Sequence, residues 1–186
     1  GLTTTLEVDL GATLTLSGAN VGMSDTTLHL QGAGEGTINK SLASGSAAAT
    51  VIKDGTSTWT LGFAYNGSNG WSAGGLVIND GTIATGVANA IPYGTGKGNV
   101  TVNSPGVLNL DDGSVNINGL EGDGTVEITG GTSRSLIFGH ANTTASFAGT
   151  IRDTGTGVLN VTKTGTGVQT LAGTNTFGGE TTISAG

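Results

Sequence analysis

Apolar and polar residues alternate in short runs along the whole chain. Thr13-Leu14-Thr15-Leu16 puts two leucines on one face of an extended segment and two threonines on the other. The same period of two recurs at Leu6-Glu7-Val8, Leu28-His29-Leu30, Leu76-Val77-Ile78, Val100-Thr101-Val102 and Leu108-Asn109-Leu110. It continues at Val115-Asn116-Ile117, Val126-Glu127-Ile128, Leu159-Asn160-Val161 and Thr181-Thr182-Ile183. Alternation of this kind predicts half-buried strands, and β-branched Thr, Val and Ile suit a pleated surface. Between the runs stand Gly11, Gly18, Gly32-Ala33-Gly34, Gly74-Gly75, Gly122-Asp123-Gly124, Gly155-Thr156-Gly157 and Gly178-Gly179, residues that accept tight turns. No ten-residue stretch has a helical apolar period, so helix content near zero is expected.

Order over longer range decides how such strands are arranged. Lys53-Asp54-Gly55-Thr56 leads to Thr60-Leu61, and Lys163-Thr164-Gly165-Thr166 leads to Thr170-Leu171, with five of nine positions identical and no gap. Each is followed by a second shared signature, Gly74, Ile78 and Gly81 in the first copy and Gly179, Ile183 and Gly186 in the second. The first copy is longer by five residues between Leu61 and Gly81, which marks an insertion near Phe63 to Gly70. Leu14-Thr15-Leu16 parallels Leu108-Asn109-Leu110, and Leu30-Gln31-Gly32 parallels Leu120-Glu121-Gly122. The chain therefore reads as one β-solenoid segment made of two diverged long units, about 1–90 and 91–186. Coils of about 20–30 residues would make roughly seven turns. A β-sandwich competes, because Asp54-Gly55, Asn66-Gly67, Asp80-Gly81, Asp112-Gly113, Asn118-Gly119 and Asp123-Gly124 suit hairpins. The ordered repeat favours the solenoid, in which loops vary while strands persist.

Composition sharpens this picture. Of 186 residues, 36 are Gly and 32 are Thr, while 2 are Pro, and no Gly-X-Y period points to collagen. Charged residues make up 10% and hydrophobic ones 35%, enough for a thin core under a Thr/Ser/Asn surface. The net charge is −7, and the 6 Lys and Arg residues are scattered, so neither a nucleic acid nor an anionic membrane surface is an expected partner. No cysteine is present, which removes disulfides and thiolate metal sites. No run of 18 apolar residues predicts a transmembrane helix.

The most specific stretch is the last. Ser146-Phe147-Ala148-Gly149-Thr150-Ile151 precedes Leu159-Asn160-Val161-Thr162-Lys163-Thr164-Gly165-Thr166-Gly167, then Thr170-Leu171-Ala172-Gly173-Thr174-Asn175-Thr176-Phe177 and Gly178-Gly179-Glu180-Thr181-Thr182-Ile183-Ser184-Ala185-Gly186. This resembles the passenger-associated transport repeat, also called the autotransporter-associated β-strand repeat: a K-x-G-x-G segment, a T-L strand, an N-T-aromatic turn, a double glycine and a T-x-I/V-x-x-G close. The resemblance is close at 146–186 and looser at 51–81, where Ser57 and Trp59 replace the usual Gly and Thr. Ala88-Asn89-Ala90, Gly94-Thr95-Gly96 and Val100-Thr101-Val102-Asn103 look like the connector between such repeats. What the resemblance implies is a right-handed parallel β-helix, the passenger or stalk of a bacterial surface-exposed or secreted protein, often next to a C-terminal outer-membrane barrel.

Residues that could carry chemistry are few. The histidines are His29, expected on the outer face between two leucines, and His140, expected in a turn. No G-x-S-x-G elbow occurs. Gly94-Thr95-Gly96-Lys97-Gly98 lacks the spacing of a phosphate loop and reads as a turn. A carbohydrate-active β-helix would need Asp111, Asp123 and Arg134 to converge in one groove, but Asp-Gly turns explain these acids more simply. Trp59, Leu61, Phe63 and Tyr65 alternate, so an aromatic ledge of Trp59, Tyr65 and Trp71 beside the insertion could stack sugars; core filling is the simpler alternative.

We therefore expect an all-β right-handed parallel solenoid serving as a structural or adhesive surface stalk, without catalytic, cofactor or metal sites. The alternative is a carbohydrate-active or carbohydrate-binding β-helix. Leu14, Leu16, Leu108, Leu110, Leu171 and Ile183 are expected to be buried. Gly1-Leu2-Thr3 begins in mid-pattern, Gly186 stands where the repeat closes, and neither end has a capping element, so the segment is expected to be cut from a longer chain, with other copies or neighbouring repeats meeting it end to end. Host-surface or matrix glycans are the other expected partners.

Overall fold

A computed structural model describes residues 1–23, 26–43, 49–65 and 74–186. The alternating runs become strands and the glycine clusters become corners. The first turn holds β1 (Leu2–Val8), β2 (Thr13–Leu16) and β3 (Val21–Gly22); the second holds β4 (Thr26–Gly32), β5 (Glu35–Ile38) and β6 (Leu42–Ala43). The third carries β7 (Thr50–Lys53) and β8 (Thr58–Leu61), and the fourth β9 (Leu76–Ile78) and β10 (Thr82–Thr85). The fifth has β11 (Val100–Val102), β12 (Val107–Asn109) and β13 (Val115–Ile117). The sixth has β14 (Leu120–Gly122), β15 (Thr125–Ile128) and β16 (Arg134–Phe138), and the seventh β17 (Ala145–Phe147), β18 (Thr150–Asp153) and β19 (Leu159–Lys163). β20 (Gln169–Leu171) and β21 (Thr181–Ile183) stack beyond them. No helix occurs among the described residues.

Strands stack face by face. One sheet has eight strands in the order β1-β4-β7-β9-β11-β14-β17-β20, and a second has seven, from β18 through β15, β12, β10, β8 and β5 to β2. A third side is covered by β3-β6 at one end and β13-β16-β19-β21 at the other. All pairings between the named strands are parallel. Parallel neighbours need crossovers and not hairpins, so the Asp-Gly pairs serve as corners and the sandwich alternative falls. One turn takes 20 residues from Val100 to Leu120 and 25 from Val51 to Leu76. Eight rungs at about 4.8 Å give a body roughly 34 Å long.

Register turns the alternation into ladders. On the eight-stranded sheet Leu28, Val51, Leu76, Val100 and Leu120 lie over one another, all wholly or almost wholly buried. On the seven-stranded sheet Gly36, Trp59, Ile83, Leu108, Val126 and Ile151 form the inner rank. Leu108 and Leu110 are fully buried as expected. Leu14, Leu16 and Leu171 are only partly buried against the core. Ile183 is a correction: it is 72% exposed, because β21 is the outermost strand of its sheet and no further rung covers it. Leu108→Ala should therefore destabilise by about 2–5 kcal/mol, while Ile183→Ala should change stability by less than about 0.5 kcal/mol. Thermal melts followed by far-ultraviolet circular dichroism would separate the two, and equal effects would contradict the assigned core.

Candidate functional site

The repeat signature places a lysine where an apolar residue belongs. Lys53 stands in the inner rank between Leu30 and Ile78 and is completely buried. Its ammonium donates to the carbonyl oxygens of Asp54 at 2.9 Å, Gly55 at 2.5 Å and Asp80 at 3.1 Å. Lys163 repeats the arrangement between Phe138 and Ile183, donating to Thr164 O at 2.5 Å, Gly165 O at 2.8 Å and Ala185 O at 3.4 Å. In both cases two acceptors lie in the corner that follows the lysine and the third lies in the corner of the next turn. The lysine is a clamp between successive turns. The glycine of K-x-G is required by this geometry: Gly55 has φ +71° and Gly165 φ +64°, a backbone state that L side chains rarely adopt.

Burial pulls the Lys53 ammonium down to about 8, against the opposing charges of Asp80, Asp54 and Glu35. Around the same corner, Asn79 donates to Asp54 Oδ1 and Asn103 to Asn79 Oδ1, each at 2.9 Å, which extends the cross-turn bonding by two rungs. His29 is half-buried, and its Nδ1 lies 2.7 Å from Asp54 Oδ2. Burial pushes the Asp54 carboxyl up, but the bonds from Asn79 and His29 outweigh it and hold the group below its ordinary value.

The two clamps lie on different faces. Lys53 is on the eight-stranded sheet and Lys163 on the four-stranded one. The signature thus encodes a turn plus its closure, and the same motif starts on whichever face the coil has reached.

The acidic candidates do not converge. Asp111 Oδ1 accepts from the N–H groups of Thr129 at 2.5 Å and Gly130 at 2.9 Å, and its Oδ2 from the Thr129 hydroxyl at 2.5 Å. Burial pushes this carboxyl up, and these bonds, with one from Asn109, outweigh it and lower it. Arg134 donates through Nε to the Asp111 main-chain oxygen at 2.7 Å. Asp123 instead accepts from Ser104 N at 2.8 Å, at another corner. Each group is engaged in closing a corner. An open groove of about 460 Å³, rimmed by Glu7, Asp9, Gln31, Asp54 and Thr56, follows the first sheet's corners. Among the described residues no group of three or more His, Asp or Glu side chains is placed to hold a metal ion.

The aromatic residues divide differently from the expected ledge. Trp59 is wholly buried over Gly36, and Leu61 and Phe63 are buried too. Trp59 therefore fills the core, the simpler of the two readings, and does not join a ledge, since period-2 alternation on β8 turns this position inward. Tyr65 is half-buried at the surface, and Trp71 lies outside the described residues. Tyr65 instead meets Tyr93 edge to face, with ring centroids 5.6 Å apart, and Tyr93 meets His140 at 4.8 Å. The Lys97 ammonium lies 5.3 Å from the Tyr65 ring centre.

A polar framework holds this row. His140 Nε2 donates to Asn116 Oδ1 and Asn116 Nδ2 to Asn89 Oδ1, both at 2.7 Å. Asn118, 1% exposed, accepts from Gly94 N at 2.7 Å and donates to Gly94 O at 3.0 Å and Lys97 O at 2.7 Å, which fixes the Gly94–Gly98 turn. Burial lowers both His140 and Lys97 from their ordinary values. Composition did not reveal the row, but the coil period carries a trace of it: Asn89, Asn116 and His140 are separated by 27 and 24 residues, about one turn each.

No curated protein and no solved structure matches the chain. A family model does, in two places: residues 51–84, which run from β7 through β10, and residues 161–186, which run from the end of β19 through β21. Both stretches contain the clamp lysine, its glycine and the closing corner, and these two segments match the passenger-associated transport repeat, the family that the sequence resembles.

Proposed function

We propose that this chain is a rigid stalk segment of a bacterial passenger protein, exposed on the cell surface or released from it, with a mechanical or adhesive role and no catalysis of its own. The observation that carries this reading is the paired lysine clamp inside a continuous parallel stack, which ties successive turns together at both family-matched segments. The repeat family and the solenoid fit a structural part of a passenger domain. The polar groups best suited to catalysis, Asp111, Asp123 and Arg134, are spent on corner hydrogen bonds, which favours scaffold over enzyme.

Location is the testable part. An antibody against the folded chain should stain intact, unpermeabilised cells of the producing bacterium, or recover the antigen from the medium. Antigen detected only after permeabilisation would overturn the proposal.

A further inference from the structure

The sequence has 2 tyrosines, and they touch each other. Tyr65 follows β8 on the third turn and Tyr93 follows β10 on the fourth, so the contact joins successive turns of the solenoid. The rings meet edge to face, with centroids 5.6 Å apart and planes at 70°. His140 against Tyr93 and Lys97 over Tyr65 limit how far either ring can swing away. Both tyrosines are half-buried, so each keeps part of its surface in solvent. The side chains that oxidants usually reach first are missing or sealed. There is no cysteine, Met23 is the one methionine and is 1% exposed, and Trp59 is wholly buried. The place is also thinly tied. Among the described residues no strand covers the third side between β6 of the second turn and β13 of the fifth. A main-chain bond from Tyr65 N to Asn89 O at 2.8 Å joins the third turn to the fourth there.

We propose that Tyr65 and Tyr93 are an oxidative cross-linking site, which hydrogen peroxide acting through a haem peroxidase converts into a dityrosine staple between the third and fourth turns. Burial and the neighbouring Tyr93 push the Tyr65 hydroxyl up, so at neutral pH it is a protonated phenol that reacts by losing a hydrogen atom. Each hydroxyl gives one hydrogen atom to the oxidant, and the O–O bond of the peroxide breaks to yield two waters. The two phenoxyl radicals join through their Cε carbons, and the displaced ring hydrogens move to the oxygens to restore two phenols. Contact within one chain makes this coupling effectively unimolecular. The staple goes beyond the stalk reading and draws on it only for an exterior where oxidants act.

The test treats the purified whole chain with hydrogen peroxide and a haem peroxidase. Dityrosine fluorescence should appear while the chain runs as a single species on a denaturing gel. Trypsin releases residues 54–97 as one peptide, which carries both tyrosines and no internal Lys or Arg. That peptide should be lighter by two hydrogens. Tyr65→Phe and Tyr93→Phe keep the ring but lack the hydroxyl hydrogen, and each should lose both signals. Matching circular dichroism establishes that the variants are folded. Treated wild type should melt at a higher temperature than untreated, because the link restricts the unfolded chain, and neither variant should show the rise. Dityrosine found only in covalent dimers, a peptide that only gains oxygen, signals that survive in either variant, or an unchanged melting temperature would overturn the proposal. The cross-link is read on purified chain and location on intact cells, so failure of the staple and failure of the stalk reading are distinguishable.

Discussion

Replacing Trp59 by alanine is expected to lower the stability of the chain by about 3–5 kcal/mol, the usual range for emptying a large aromatic site. Trp59 is the largest side chain in the core and is 0% exposed. Its indole lies across Gly36 on the neighbouring strand, in the space where a side chain would otherwise stand. A Cβ at Gly36 would fall inside the indole, against Cδ2 and Cε3. Gly36→Ala should therefore destabilise too, by the about 1–3 kcal/mol typical of overpacking. Combining Gly36→Ala with Trp59→Leu should cost less than the sum of the two single changes, because the smaller residue removes the clash. Trp59 Nε1 is buried without a hydrogen-bond partner, so Trp59→Phe, which deletes that group, should be much milder than Trp59→Ala. Thermal unfolding of the four single variants and the double variant provides the comparison. Additivity of the Gly36 and Trp59 changes would mean that the two residues are not in contact.

Raising the pH from about 8 to about 10.5 should strengthen the fold through Lys53, by at most roughly 3 kcal/mol. Burial lowers its folded value from 10.5 to about 8. Between those values the unfolded chain holds the proton that the folded chain has given up, so stability rises with pH across the window. Below about 8 both states are charged and the burial penalty acts in full; above about 10.5 both are neutral and it is gone. Carbonyl oxygens of Asp54, Gly55 and Asp80 favour the ammonium, which makes the figure an upper bound. Other groups titrate in the same range, so the quantity to follow is wild type minus Lys53→Met in denaturant unfolding at about pH 7.5 and about pH 10.5. A difference that stays constant would show that the buried ammonium keeps an ordinary proton affinity, and one that falls with pH would show that its affinity is raised.

Local order was legible in the sequence to the level of strands and corners. Alternation at Leu28-His29-Leu30 or Leu108-Asn109-Leu110 needs only the period of an extended chain to predict one buried face. The K-x-G pair at Lys53 and Lys163, the glycine corners and the shared signatures recurring in the same order along two long units marked both family segments and the solenoid. What alternation leaves open is which partner covers each inward face. Lys53 obeys the alternation and points inward, yet by residue type alone a lysine reads as surface; Trp59 could be read from its place beside an insertion as ledge or core, and stacking puts it in the core.

Stacking decided the rest. One turn takes from 20 to 25 residues on the first sheet, so the phase of the coil drifts, and residues an equal distance along two repeats land on different faces. The two lysines are 110 residues apart, which is not a whole number of turns in the register of the first sheet, so Lys163 stands on another sheet than Lys53; stacking also brings Tyr65, Tyr93 and His140 together from separate turns. Ile183 is uncovered because β21 is the outermost strand of its sheet, while Leu108, at an equally alternating position, is sealed between neighbouring rungs. Sequence determines a strand's pleat because that is a property of neighbouring bonds; burial and clustering depend on the rung above and the rung below, which only the stacked fold supplies.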